Sequence, residues 1–301
     1  MRVYVTGAGG QLGQDVMAEL ARRGHEAVGT RVDITKGEET RAFLSSLRPE
    51  AVIHCAAWTD VDGAESHREA CYAVNAEGTR HVTEACRAVG AKLLYLSTDY
   101  VFPGTGDEPW KPEDPVGPLN YYGRTKLEGE RAVQEWEKSF IVRTAWVFGR
   151  QGKNFVKTML NVGRSHEEVR VVMDQVGTPT YTADLARLLV DMAESEKYGI
   201  YHATNEGGYI SWYEFCREIY RQAGLSTRVL PVTTAEYGLS VAVRPENSRL
   251  DKSKLAQNGF EPLPDWRNAL HKCVTGTGTL TPWCHGDGYI DTGEPSPTDF
   301  N

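Results

Sequence analysis

Long apolar runs are missing from this 301-residue sequence, and no stretch approaches the ~20 residues that cross a bilayer. Basic runs are missing as well. The formal charge is −8, which argues against nucleic acid or an anionic membrane as partner. Cysteine is sparse: Cys55, Cys71, Cys86, Cys216, Cys273 and Cys284 show no Cys-x-x-Cys spacing. They read as free thiols in a reducing cytoplasm, with no zinc or other metal expected. No signal peptide is expected, because Met1-Arg2 leads straight into the strand pattern Val3-Tyr4-Val5. What remains, 40% hydrophobic and 25% charged residues, fits a soluble globule of one large or two moderate domains.

The chain begins with a short β-rich run, Arg2-Val3-Tyr4-Val5-Thr6, followed by glycines at Gly7-x-x-Gly10-x-x-Gly13 and a helix through Arg23. Gly7 permits a tight turn, Gly10 lets backbone approach a pyrophosphate, and Gly13 lets the helix pack close to the strand. Glycines alone would serve a plain turn equally well. Placed between a strand and a helix, they predict a dinucleotide site, with phosphates at the helix N-terminus.

A second strand ends at Thr30-Arg31-Val32-Asp33-Ile34. An NAD-specific site places an acid at this strand end. Here Asp33 comes slightly late, and Arg31 either accepts a 2′-phosphate, as NADPH would require, or is a solvated side chain. A helix from Glu38 to Leu47 leads to the strand Ala51-Val52-Ile53-His54-Cys55-Ala56-Ala57, whose His54 reads as a core histidine. Ala70 to Val89 has helical spacing and carries Asn75, which either fixes a kink or water chain or simply packs.

Next comes the buried-strand pattern Lys92-Leu93-Leu94-Tyr95-Leu96, ending in Ser97-Thr98. A proline-rich loop, 112–118, gives way near Asn120 to a helix predicted to reach Glu137. On it Tyr122 and Lys126 are four apart and share a face. Among 14 tyrosines only Tyr122 has lysine at that spacing, so the pair is not generic. A fixed ammonium is expected to lower the phenol pKa, as a general acid for ketone reduction requires.

Phe140-Ile141-Val142-Arg143-Thr144 is a further strand, left through Ala145-Trp146-Val147-Phe148. Alternating strands and helices predict an α/β fold, a doubly wound parallel sheet of Rossmann type. Gly10, Arg31, Ala57, Thr98 and Trp146 all lie just past strand carboxyl ends, where such sheets bind ligands. Residues 1–150 read as the dinucleotide domain, its sheet completed by about 181–204. Residues 151–180 and 205–273 read as a smaller substrate-binding lobe. There the stripe Trp212/Phe215/Ile219 on the helix from Ser211 to Ala223 is assigned to core. Short helical pieces end with Trp266 to Cys273, and 274–301 lacks periodicity and reads as a disordered tail.

The glycine turn, Thr98, Tyr122-x-x-x-Lys126 and the late lobe together resemble an extended short-chain dehydrogenase/reductase. Within that superfamily, residues 1 to about 272 closely resemble the dTDP-4-dehydrorhamnose reductase family. Matching segments are Gly7-Ala8-Gly9-Gly10-Gln11-Leu12-Gly13, Ala56-Ala57-Trp58-Thr59-Asp60-Val61-Asp62-Gly63-Ala64-Glu65 and Ser97-Thr98-Asp99-Tyr100-Val101-Phe102. Tyr122-Gly123-Arg124-Thr125-Lys126, Asp174-Gln175-Val176-Gly177-Thr178-Pro179-Thr180 and Arg244-Pro245-Glu246-Asn247-Ser248 match too. Departures are mild: Gly9 replaces the usual Asn, and Trp58 the usual Tyr.

The resemblance implies reduction of the C4 ketone of a dTDP-4-dehydro-sugar by NADPH or NADH, in a cytoplasmic monomer or homodimer. It implies Tyr122 as proton donor, Lys126 on the nicotinamide ribose and Thr98 at the carbonyl oxygen. Asp99 and Trp146 match sugar contacts; Gly10, Gln11, Leu12, Asp33, Ile34, Ala56, Ala57, Trp58 and Leu96 match cofactor positions.

Two other readings fit part of this pattern. A nucleotide-sugar dehydratase would carry Asp-Glu after the Thr, but here Asp99 is followed by Tyr100. A non-catalytic NADP-binding regulatory subunit of methionine adenosyltransferase also resembles the family. The intact Thr98, Tyr122 and Lys126 favour the enzyme, while a related epimerase or a 4-ketoreductase of other C4 stereochemistry stays open.

Overall fold

The run Lys92–Thr98 is a strand with six of its seven residues buried, and its alternation divides two cores. Leu94 and Leu96 enter one apolar cluster, Leu93 and Tyr95 the other. Its neighbours obey the same period of two: Val3 and Val5 join the first cluster, Tyr4 the second. Each fully buried leucine of this kind contributes about 1.5–3 kcal/mol. A strand covered on both faces must be central, and it is.

In this computed structural model, which describes residues 1–30 and 32–276, six strands form the main sheet. They are β1 (Arg2–Thr6), β2 (Glu26–Val28), β3 (Ala51–His54), β4 (Lys92–Thr98), β5 (Ser139–Thr144) and β6 (Gly199–His202). All pairings are parallel, in the spatial order β2-β1-β3-β4-β5-β6. The order reverses between β1 and β3, and a ligand crevice opens at such a switch point. The register sets Thr98 beside Thr144, so the chain leaving β5 passes the end of β4.

Helices Gln11–Arg22, Gly37–Leu47, Thr79–Val89, Tyr121–Val133 and Thr182–Ala193 connect these strands. Two differ from the periodicity reading. The segment 70–89 is not one helix: a π-helical stretch, Ala73–Gly78, separates Arg68–Tyr72 from Thr79–Val89. Asn75 lies in it, 1% exposed. Its Oδ1 accepts from Trp58 N at 2.8 Å, and its Nδ2 donates to Trp58 O and Thr125 Oγ1. The bulge turns that amide inward. The helix after Asn120 stops at Val133 rather than Glu137, where the chain turns and Trp136 Nε1 donates to Ala91 O.

A third apolar cluster joins Phe155, Phe215, Trp266 and Leu270 from helices Phe155–Ser165, Trp212–Ala223 and Trp266–Thr275. Beside it Glu168–Val172 pairs in parallel with Arg228–Val232. The last helix runs two residues past the predicted end at Cys273, because Val274 still packs on this core; Gly276, φ 70°, ends it. The rest of the expected tail, 277–301, lies outside the described residues.

Candidate active site

Gly7 has φ +64°, and a Cβ there would come within 2.7 Å of Ala56 N. At Gly13 a Cβ would lie 2.1 Å from Gly7 O, so the helix can pack on this turn only as glycine. Gly10 is the N-cap of Gln11–Arg22; its backbone is extended, no side chain caps the helix, and the first turn holds no acid. Such an end presents N–H groups and positive potential to an anion. The turn therefore fits a dinucleotide pyrophosphate.

A cleft of about 560 Å³ begins at this turn and crosses the carboxyl edge of the sheet. Lining it are Gly7, Gly10, Gln11, Leu12 and Gly13 from the turn, and Ala57, Leu96, Thr98, Asp99, Tyr122, Lys126 and Trp146 from later strand ends and the helix after Asn120. Asn120 sets where that helix begins: its Oδ1 accepts from Gly123 N at 2.8 Å. One turn further, Tyr122 and Lys126 face the end of β4.

The electrostatics reverse the expectation for the phenol. Burial, with Asp99 and Tyr100 nearby, raises the Tyr122 pKa. Burial also draws Lys126 down to about 7, against the pull of Glu130. The Lys126 ammonium donates to Leu96 O at 2.7 Å and sits 4.2 Å from the centre of the Tyr95 ring. Spacing reveals a shared face but not the loss of water, and desolvation wins here. A raised phenol still suits a donor, since it keeps its proton at neutral pH and an alkoxide is far more basic than a phenolate.

Thr98 Oγ1 donates to Asp99 Oδ1 at 3.0 Å and accepts from Tyr100 N. Asp99 is 3% exposed and its Oδ2 has no hydrogen-bond partner. Burial lifts its carboxyl to about 6, although Ser248 and Thr98 favour the ionised form. An orphaned buried acceptor on a cleft wall suits a polyhydroxy ligand. Beneath, Glu130 accepts two bonds from Arg143 (2.8 and 2.7 Å) and one from Ser97 (2.5 Å), fixing the helix to β4 and β5.

Trp146 has φ +51°, a conformation that costs a bulky residue about 1–3 kcal/mol. Its indole stacks on Trp212, ring centroids 3.7 Å apart and planes 15° from parallel. Thr180 N donates to Trp146 O at 3.1 Å, which holds the turn.

A family model described as the RmlD substrate binding domain matches residues 1–278. A dTDP-4-dehydrorhamnose reductase from Streptomyces griseus is 47% identical over 280 residues, covering 89% of this chain and 91% of the relative. The chain belongs to the dTDP-4-dehydrorhamnose reductase family. Another member, from Mycobacterium tuberculosis, is 42% identical over 93% of this chain and 94% of its own. The crystal structure of a dTDP-4-dehydrorhamnose reductase from Bacillus anthracis in complex with NADP superimposes with TM-score 0.89 at 42% identity. It covers 92% of this chain and 99% of that one.

Some residues that the reductase family resemblance singled out lie apart from the cleft lining. Ala56 donates its N–H to Thr6 Oγ1 and packs on the second core; Trp58 donates to Asp60 O. Ile34 is 5% exposed in that same core. Asp33 is exposed and accepts from Thr35 N and Oγ1, and Arg31 falls outside the described residues. His54 is the core histidine expected, bonded to Thr6 and Thr79 and held near 3 by burial. Conversely, Trp212, assigned to core with Phe215 and Ile219, is half-buried and lines the cleft, as does the buried Phe215 but not Ile219; Tyr100 and Phe155 join them. A helical stripe gives no sign of which member faces a cavity.

Proposed function

We propose that this chain reduces the C4 ketone of dTDP-4-dehydro-β-L-rhamnose with NADPH, giving dTDP-L-rhamnose, and that Tyr122 is the proton donor. One observation carries the reading: Thr98, Tyr122 and Lys126 share a single cleft with the glycine cradle of β1. Gly7, Gly10 and Gly13 would hold the pyrophosphate against backbone, and Lys126 the nicotinamide ribose. The bound nicotinamide supplies the hydride, and NADH fits the same cradle. Tyr122 gives its proton to the oxygen forming at C4. Thr98 orients that oxygen, and Asp99 and Trp146 contact the sugar. Residues 151–180 and 205–273 hold the sugar nucleotide, and 1–150 with 181–204 hold the dinucleotide. Among the described residues five cysteines are unpaired and no helix is long and apolar enough to cross a membrane. Unpaired thiols suit a reducing cytoplasm, and the family likeness supports a nucleotide-sugar substrate for a monomer or homodimer.

The test is proton NMR of the product formed from dTDP-4-dehydrorhamnose and NADPH. The expected spectrum is that of dTDP-L-rhamnose, with NADPH consumed in equal amount. The C4 epimer would assign the chain to another 4-ketoreductase reaction, and no turnover would favour a non-catalytic NADP-binding subunit.

A further inference from the structure

Three segments far apart in sequence meet at Trp146. The first is the turn after β5, which carries Trp146 at a positive φ that side chains rarely adopt. The second is Val176–Gly177, and the third is Ile210–Ser211 with the helix it opens; these two pair antiparallel, Ile210 opposite Gly177 and Ser211 opposite Val176. A capping box fixes the start of the helix: Ser211 Oγ accepts from Glu214 N, and Glu214 accepts from Ser211 N. The next residue is Trp212. Its ring direction is therefore set by a ladder and a cap, and it lies flat on Trp146 at 3.7 Å. Phe155 backs it at 4.5 Å.

Gly177 completes the arrangement. A Cβ there would stand 3.0 Å from Trp146 Cε2 and 3.1 Å from Nε1, and 3.0 Å from Ser248 Cβ. Any side chain at this position would press on the indole. One strand pair thus delivers both the ring that stacks on Trp146 and the empty space beside it.

We propose that Trp212 and Gly177 are positioning residues, which hold Trp146 in its strained conformation against the sugar pocket and so set affinity for the ketosugar. The proposal rests on the reading that Trp146 meets the sugar. Trp212 lines the cleft on the lobe side, remote in sequence and in element from the glycine cradle, so its effect should fall on sugar rather than dinucleotide.

The experiment compares Trp212→Ala, Trp212→Phe, Gly177→Ala, Trp146→Ala and the Trp146→Ala/Trp212→Ala double variant of the full chain. Each is assayed with dTDP-4-dehydrorhamnose and NADPH, and its ultraviolet circular dichroism is recorded for the exciton signal of two stacked indoles. Trp212→Ala should abolish that signal and raise the ketosugar KM by up to about tenfold, the factor one aromatic pair can hold. The NADPH KM should not move, and Trp212→Phe should restore most of the ketosugar affinity. Gly177→Ala, which keeps both indoles, should weaken the exciton signal and raise the same KM. In the double variant the loss of Trp212 should add nothing, because no indole is left to position. A normal ketosugar KM in Trp212→Ala beside a raised one in Trp146→Ala would overturn the positioning role alone. A normal KM in Trp146→Ala would overturn the sugar contact beneath it, and the proposal too. A raised NADPH KM, or a full additional loss in the double variant, would reduce Trp212 to a structural residue and overturn the proposal.

Discussion

Thr98 donates its hydroxyl proton to Asp99, 3.0 Å away, and accepts from the amide of Tyr100 with one of its two lone pairs. While Asp99 is ionised, that proton is committed to the carboxylate. The pair therefore links the hydroxyl proposed to orient the carbonyl oxygen to the charge of a buried acid.

Asp99 titrates near 6 in the folded chain against 3.8 ordinarily, with burial as the main cause. Between those values the folded state holds a proton that the unfolded state has lost. Its stabilising contribution is complete below 3.8 and falls as pH rises through about 6. The melting temperature of wild type minus that of Asp99→Asn should accordingly decline across this window and level off above it. A difference independent of pH would show that Asp99 is not shifted.

Lys126 carries the opposite sign. Its folded pKa, about 7, lies below the ordinary 10.5, so the folded state binds fewer protons between them and stability rises with pH across that range. Lys126→Met should remove this rise. The same variant should lose both turnover and NADPH affinity, read by steady-state kinetics and by cofactor titration. Loss of turnover with unchanged NADPH binding would separate Lys126 from the ribose.

Asn75→Ala deletes four hydrogen bonds, to Trp58 N and O, Cys71 Sγ and Thr125 Oγ1, and leaves the Trp58 amide without its acceptor. Leaving a buried donor orphaned costs about 1–3 kcal/mol, so urea unfolding should show a loss in that range. A loss within error would mean that the π-helical bulge holds itself.

Glu130 is fully buried, paired twice with Arg143 and once with Ser97. Glu130→Ala should cost about 3–5 kcal/mol, since it strands a buried guanidinium. Glu168 pairs with Arg228 where both are at least half exposed, and Glu168→Ala should cost at most about 1 kcal/mol. Equal losses would show that burial does not decide the value of these pairs.

The strands, the glycine turn and the tyrosine–lysine face are legible in the sequence because each rests on local spacing. Val3-Tyr4-Val5 and Leu93 to Leu96 must alternate between two cores, and Gly7 and Gly13 must lack Cβ. Burial is less legible, as it depends on distant segments. The sign of the Tyr122 shift follows from the walls around it, not from Lys126 one turn away. Trp212 and Phe215 share a helical stripe and both reach the cleft wall, yet Phe215 is fully buried and Trp212 only half-buried, a difference that the fold alone sets. The bulge at Asn75 likewise requires Trp58 as its partner. The end of the last helix is not legible either, because Val274 finds its apolar neighbours only in the folded lobe.

Two adjacent tyrosines offer a phenol near the strand end, and only one of them faces the cleft. Tyr122 lines the cleft beside Thr98 and Lys126. Tyr121 instead lies under the Arg68 guanidinium, 5.0 Å from its ring centre, with its amide bonded to Glu65. Ketosugar turnover of Tyr122→Phe and Tyr121→Phe, measured at saturating NADPH, is the decisive comparison. Tyr122→Phe should lose roughly 10²–10⁴-fold in turnover while still binding cofactor, and Tyr121→Phe should keep most of its activity. An inactive Tyr121→Phe beside an active Tyr122→Phe would contradict the choice of Tyr122 as proton donor.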